Sequence, residues 1–458
     1  MPDRTAMVAA MDRAVAYATG RLSAAGTYVW SWSEDLSRRR GEGSVPPGTG
    51  WIQPPGTPAF GAAFLAVHRA TGSPAALEAA RDVAEALVDT QLLSGGWSNR
   101  VETDPAARGR WCYRVLVATD RDCAALEVEK GRNRSLLDDD TTQAALAFLL
   151  AYDERVEGAD SRVREALLYG LDRILDGQYR NGAWPNTLEP SKARRAAEAR
   201  IQPAATARYP DGDWPRTWMK PSGGVYFILN DDSMRDTTRL VLAAGRRFGD
   251  PRYLEAARRA ADFLVAARLP APQRGWAQTY DAGMVPVWGR RFEPPAAASR
   301  ETAGAIETLI EVFGATGDRR YLAAAREGAD WLRSVRLADG RWSRFYELRT
   351  DRPLYMDQAN APTYEDRDLP GHYTWKSDFG IPDLMERLAA AERGAPVPPV
   401  DPLPDPSAAL RPADLAREAA RLVRSQDAQG RWVRGGWIQA DDMVRALRLL
   451  ARAADTAR

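Results

Sequence analysis

Gln178-Tyr179-Arg180-Asn181-Gly182-Ala183-Trp184 decides the fold, because the chain writes this turn several times. Gln91-Leu-Leu-Ser-Gly-Gly-Trp97, Arg336-Leu-Ala-Asp-Gly-Arg-Trp342 and Gln426-Asp-Ala-Gln-Gly-Arg-Trp432 follow the same pattern, and a looser copy ends at Gly275-Trp276. A second signal lies upstream. Thr71-Gly-Ser-Pro-Ala-Ala-Leu-Glu-Ala-Ala-Arg81 matches Phe248-Gly-Asp-Pro-Arg-Tyr-Leu-Glu-Ala-Ala-Arg258 and Thr316-Gly-Asp-Arg-Arg-Tyr-Leu-Ala-Ala-Ala-Arg326. The copies recur roughly every 70 to 90 residues, longer than simple solenoid periods.

The repeating unit reads as a helical hairpin. One helix ends at Gly72, Gly249 or Gly317, where glycine supplies a left-handed terminal turn. Ser or Asp then caps the next helix. That helix is apolar at helical spacing, as in Tyr253, Leu254, Ala257, Ala261, Phe263 and Leu264. It stops at the Gly–Trp turn, where the indole folds back as a staple. Five such units and a partial N-terminal one predict an all-α fold, an α/α toroid of hairpins. Residues 1–395 are expected to form the catalytic toroid, 396–406 a proline-rich linker, and 407–458 a last hairpin that completes it. Strand signals are weak and confined to short loops.

Composition excludes several classes. Of 458 residues, 45% are hydrophobic and 27% charged, which fits a globular chain able to bury a large core. A net charge of +1 gives no field to recruit nucleic acid or an anionic membrane, and no apolar run is long enough to span one. Cys112 and Cys123 are too few for a disulfide framework and read as buried or idle thiols. The opening residues carry no leader pattern, so the chain as written is expected to be cytoplasmic. A monomer is expected. His68 and His372 are the only histidines, and His68 lies in an apolar helix, so a Ser-His-Asp hydrolase is disfavoured.

Two acidic clusters stand out: Leu137-Asp-Asp-Asp-Thr-Thr142 and Asn230-Asp-Asp-Ser-Met234. Each opens an apolar-periodic stretch and so should start a helix. Adjacent like charges cost stability unless a cation or substrate offsets them. Simple helix capping is the plainer reading. What weighs against it is recurrence at corresponding ends of two hairpins. All-oxygen ligands of this kind suit calcium or magnesium. Arginines follow in Arg290-Arg291-Phe-Glu293 and Arg344-Phe-Tyr-Glu-Leu348; their forks bind carboxylates, although surface arginines are often only solvated ion pairs.

Together these motifs resemble the pectate lyases of polysaccharide lyase family 10, in order from about Leu137 to Phe379. Leu137-Asp138-Asp139 resembles that family's Asp-Asn metal motif, and Asn230-Asp231-Asp232-Ser-Met234 its Asn-Asp-Asn-x-Met. Gln178 to Pro185 resembles its Gln-Tyr-x-Asn-Gly turn. Trp276-Ala-Gln278 through Glu293, Arg344 to Leu348, and Tyr373-Thr-Trp375 to Gly380 resemble three further segments. The resemblance implies calcium-assisted β-elimination of polygalacturonate or oligogalacturonides. It implies Asp138, Asp139 and Asp231 at the metal, Arg290 as base, and Arg344, Arg291, Trp276 and Trp375 on substrate. Members of that family are usually secreted. Three departures are visible. Asp139 replaces an asparagine, Gly223 to Leu229 lacks a Ser-Asp-His, and Gln358-Ala-Asn360 replaces an Arg-Asp-Gly loop. The rival readings are a glycoside hydrolase or sugar epimerase on the same toroid, with Asp138 and Asp231 as its carboxylates, and a non-catalytic acidic-glycan-binding protein. A class II terpene cyclase needs Asp-x-Asp-Asp, and Leu137 stands where the first acid belongs.

Overall fold

The computed structural model describes residues 3–119, 123, 132–188, 198–199, 201–221, 225–403, 405, 408 and 410–457. Gly223, Gly224, Pro404, Pro406 and Ser407, singled out above, lie outside them. Among the described residues, the helices of twelve residues or more are α1 (Arg4–Tyr17), α2 (Thr57–Thr71), α3 (Pro74–Thr90), α4 (Thr141–Arg155), α5 (Ser161–Gly177), α6 (Ser233–Phe248), α7 (Pro251–Ala267), α8 (Ser299–Thr316), α9 (Arg319–Ser334), α10 (Ile381–Glu392), α11 (Pro412–Ser425) and α12 (Ala440–Thr456). The described residues are mainly helical and arranged as hairpins, with short strands in the loops between them. No helix among the described residues is long and apolar enough to cross a membrane.

The hairpin joints form as the sequence requires. Gly72, Gly249 and Gly317 end α2, α6 and α8 with φ of 75°, 68° and 72°. Ser73, Asp250 and Asp318 then accept a backbone N–H of the following helix. His68 braces the first joint: one ring nitrogen lies 2.9 Å from the Ser73 carbonyl and the other 2.6 Å from Arg155. It is a structural histidine.

The Gly–Trp turns are stapled from both ends. Gln91 Nε2 donates to the carbonyls of Gly95 and Ala166, both at 2.9 Å. Gln178 repeats this with Gly182 and Ala256, again at 2.9 Å. Gln426 does so with Gly430 at 3.3 Å and Ala10 at 2.8 Å. Each carboxamide oxygen accepts from an arginine: Arg114, Arg259 and Arg13. In the fourth copy Arg336 replaces glutamine and keeps the turn contact, Nε to the Gly340 carbonyl at 2.9 Å. The indole N–H groups of Trp97, Trp276, Trp342 and Trp432 donate to Leu87, Leu264, Leu332 and Leu422 at 2.7–3.0 Å. All four rings are buried. Burying a tryptophan releases about 4–6 kcal/mol of gross transfer free energy.

The chain divides into two compact units. One comprises Met1–Ile174, Thr187–Glu189 and Asp401–Arg458; the other Leu175–Asn186 and Pro190–Val400. The division falls within the proline-rich stretch, yet it differs from the expected 1–395 domain. The C-terminal hairpin groups with the N-terminal helices because α12 packs on α2 and α1, and Trp437–Gln439 pairs with Ser31–Ser33. Within the second unit Val397 and Val400 lie on α6 and α8, with Arg246 donating to the Val400 carbonyl at 3.1 Å.

Two features were not anticipated. Cys112 and Cys123 form a disulfide, so they are not idle thiols. The loops of the second unit also build an antiparallel sheet of β1 (Trp276–Ala277), β2 (Ala296–Ala298), β3 (Phe345–Glu347), β4 (Pro353–Met356) and β5 (Pro362–Thr363), in the spatial order β5-β4-β3-β2-β1. Ala298 pairs with both Trp276 and Phe345.

The glutamine turn predicts a steep cost for a side chain at Gly182. Its φ is 93°, and a Cβ there would sit 1.9 Å from the Arg259 carbonyl oxygen. Gly182→Ala is expected to lower stability by about 2 kcal/mol or more in urea unfolding.

Candidate active site

The two acidic clusters adopt one local conformation. Asp138–Asp140 and Asn230–Asp232 each form a single tight turn leading into α4 and α6. In the first, Asp139 and Asp140 have φ of 49° and 56°; in the second, Asp231 and Asp232 have φ of 52° and 59°. A left-handed residue other than glycine costs roughly 1–2 kcal/mol. Neither Asp140 nor Asp232 makes a side-chain cap hydrogen bond. Helix capping therefore does not account for the acids. Backbone strain of this kind clusters at functional sites, and here it repeats at two acidic turns.

In the second unit the Asn230–Asp232 turn is surrounded by motif residues. It follows the strand Tyr226–Ile228 and faces the loop that leads into β2 and α8. Asp231 accepts from Asn230 Nδ2 at 2.6 Å and from Arg290 Nη2 at 3.1 Å. Arg290 also donates from Nε to Glu293 at 2.6 Å, and from its backbone N–H at 2.7 Å. Glu293 is buried and further accepts from Gln278 at 3.0 Å and the Tyr373 hydroxyl at 3.2 Å. Burial works against the Arg290 charge, but Glu293 and Asp231 outweigh it and push the guanidinium above its ordinary range. As it stands, Arg290 holds its proton more firmly than a free arginine. Burial, reinforced by Glu301, likewise pushes the Tyr373 hydroxyl well up.

Arg344 lies deeper. It is 3% exposed, donates to Glu301 at 2.8 Å and to the Asn230 side-chain oxygen Oδ1 at 3.1 Å, and stacks 4.2 Å over the Tyr373 ring. Burial pushes the Glu301 carboxyl up even with Arg344 against it. The Arg344 side chain is enclosed and committed to Glu301, and it positions Asn230. Trp276 and Trp375 are enclosed as well. Trp276 is the turn staple, while Trp375 is 5% exposed with its N–H on the Pro370 carbonyl, so neither offers a face to a sugar. Arg291 is exposed, with its guanidinium 5.6 Å over the Trp218 ring.

Sequence reasoning missed Asp232, Arg300 and Glu301 as a group. Asp232 pairs with Arg300 at 2.8 Å and Arg235 at 3.2 Å, which ties the strained turn to α8 and α6. Gly304 allows that approach, since a Cβ there would lie 3.1 Å from Asp232. Glu293, Gln278 and Tyr373 were inside quoted motifs but had been given no role. Nothing in the sequence marked Arg300 or Glu301.

No family model and no curated protein matches this chain. Among solved structures it is similar to a variant of a family 10 polysaccharide lyase from Cellvibrio cellulosa in complex with trigalacturonic acid. That match has 17% identity and a TM-score of 0.47, covering 73% of this chain and 98% of that one. It is also similar to a GH76 α-mannanase of Bacteroides thetaiotaomicron, with 10% identity, a TM-score of 0.46, and 100% and 96% coverage. A third is an unsaturated glucuronyl hydrolase specific for heparin, with 13% identity, a TM-score of 0.45, and 99% and 98% coverage. Likenesses this distant do not choose between these activities.

The two arginines should separate cleanly. Arg344→Met strands the buried Glu301 carboxylate and is expected to cost about 3–5 kcal/mol in urea unfolding. Arg291→Ala is expected to stay within about 0.5 kcal/mol of the parent.

Proposed function

We propose that this protein is a glycan-processing enzyme that cleaves polygalacturonate or oligogalacturonides by calcium-assisted β-elimination. The observation that carries the reading is the strained Asn230–Asp232 turn, with Asp231 ion-paired to Arg290 inside a buried network of Glu293, Gln278 and Tyr373. A carboxylate and a fixed cation side by side suit a substrate that is itself an acid.

By the resemblance, the carboxylates of Asp138, Asp139 and Asp231 would hold the cation, and an all-oxygen donor set fits calcium. Asp231 would then share its carboxylate between the cation and Arg290. When bound, the ion supplies Lewis-acid stabilisation of the negative charge that builds beside the uronate carboxylate. The remaining work falls to the chain's own residues. Glu293 fixes Arg290 through its backbone N–H and its guanidinium Nε, and a terminal nitrogen would take the proton from the carbon bearing the uronate carboxylate. Elimination moves that proton to the base, breaks the glycosidic carbon–oxygen bond on the next carbon and leaves a carbon–carbon double bond. The departing oxygen takes a proton from solvent. An arginine base needs its positive charge made less favourable. Asp231 and Glu293 now favour that charge, and engaging Asp231 elsewhere weakens one of the two.

Export is part of the proposal, since pectic polymers do not enter cells. The Cys112–Cys123 disulfide supports it, because such bonds persist in oxidising compartments.

Incubation with polygalacturonate and calcium is expected to raise ultraviolet absorbance as an unsaturated uronide forms, and chelator is expected to stop the rise. Asp231→Ala should abolish both turnover and its calcium dependence. New reducing ends without absorbance would replace the lyase by a hydrolase. Arg290→Ala should abolish turnover while leaving oligosaccharide binding intact; near-normal turnover in that variant would remove Arg290 as the base.

A further inference from the structure

We infer that Trp218 and Arg291 form a sugar-carboxylate subsite beside Arg290, an inference that rests on the acidic-glycan reading above. The tryptophans expected to stack on sugar are enclosed, as described, so an aromatic platform must come from elsewhere. Trp218 is half-buried, and its ring is fixed rather than loose. Its indole N–H donates to the Gly289 carbonyl at 3.2 Å, one residue before Arg290. The same segment is clamped a second time, by the Trp288 indole N–H on the Pro215 carbonyl at 2.8 Å. Trp214 packs 6.1 Å from Trp288 beneath it. These two hydrogen bonds tie residues 214–218 to the loop carrying Arg290 and Arg291.

Arg291 is the odd one among the arginines of this site. Arg290, Arg300 and Arg344 each have a carboxylate partner. Arg291 has no ion pair among the described residues, only its position 5.6 Å over the Trp218 ring. An exposed, uncommitted guanidinium is free to take a carboxylate, and its planar fork suits one in bidentate fashion. The aromatic face beside it suits the apolar C–H face of a pyranose. The pair matches both halves of a uronate residue: Trp218 the ring, Arg291 the acid. A neutral hexose would use the first contact alone.

The test is calorimetric titration on the Arg290→Ala background, with calcium present and trigalacturonate as probe, and galactotriose as the neutral counterpart. Trp218→Ala and Arg291→Ala are each expected to weaken trigalacturonate binding by roughly tenfold, a size typical of a single cation–π or stacking contact. Trp218→Phe keeps an aromatic face and is expected to stay within about threefold. Arg291→Ala should leave galactotriose affinity unchanged. Circular dichroism melting identifies any variant that fails to fold, and Trp218→Phe then carries the aromatic arm. If the background protein binds trigalacturonate and neither alanine variant weakens it, the subsite is overturned and the lyase reading stands. If the background protein does not bind and wild type produces no unsaturated product, both fall together. If wild type is active but the background protein does not bind, an unchanged KM in Trp218→Ala and Arg291→Ala overturns the subsite alone, and a raised KM supports it.

Discussion

The carboxamide of the turn glutamine is the contact on which the architecture depends. It closes its own turn and reaches a carbonyl of another helix, so one side chain sets both the shape of a hairpin and its placement against a second. Gln91, Gln178 and Gln426 do this with the same pair of donors. A carboxamide suits the task because it carries two donors and an acceptor in one plane, without charge to desolvate. The arginine on its oxygen satisfies the remaining lone pair. Once hairpins are set this way, the helix starts on them have defined positions, and two of those starts carry the strained acidic turns.

The hairpins were legible for a physical reason. Glycine at a left-handed joint, a capping Ser or Asp and a stapling tryptophan each act within a few residues, so the cause and its effect share a stretch of sequence. Gly249, Asp250 and Tyr253 announce one joint entirely among themselves. The sheet β1–β5 was not legible because its strands are two to four residues long and pair across segments distant in sequence. Ala296-Ala297-Ala298 gives no alternation to read, yet it pairs with a strand on either side. The disulfide escaped because two cysteines eleven residues apart read alike in sequence whether bonded or free.

At the site, residue type was legible and depth was not. Asp231 and Arg290 were singled out as chemistry-bearing, and the structure brings them into an ion pair. Arg344 and Trp276 looked equally exposed in sequence but lie inside, one bound to Glu301 and the other to its own helix. A guanidinium on a loop and a guanidinium beneath a sheet are written with the same letter. What tells them apart is the partner: Glu301 sits at the first turn of α8 and meets Arg344 only because β2 and β3 pair. Burial of the Arg344–Glu301 pair gives Asn230 a fixed neighbour, and Asn230 in turn donates to Asp231.

That chain of contacts bears on how an arginine loses a proton. Glu293 is enclosed among donors, so its contact with Arg290 is fixed. Asp231 is partly open, and its contact with Arg290 is the adjustable one. A cation drawn to Asp231 competes directly with Arg290 for the same carboxylate, and the guanidinium becomes less comfortable as the cation binds. Asp139, where the resembling family has a neutral asparagine, adds a further negative charge to the donor set we propose. Greater negative charge holds a divalent cation more tightly, but it also offsets more of that cation's field. On the proposed reading, the substitution would trade a tighter hold on the cation against a weaker field from it.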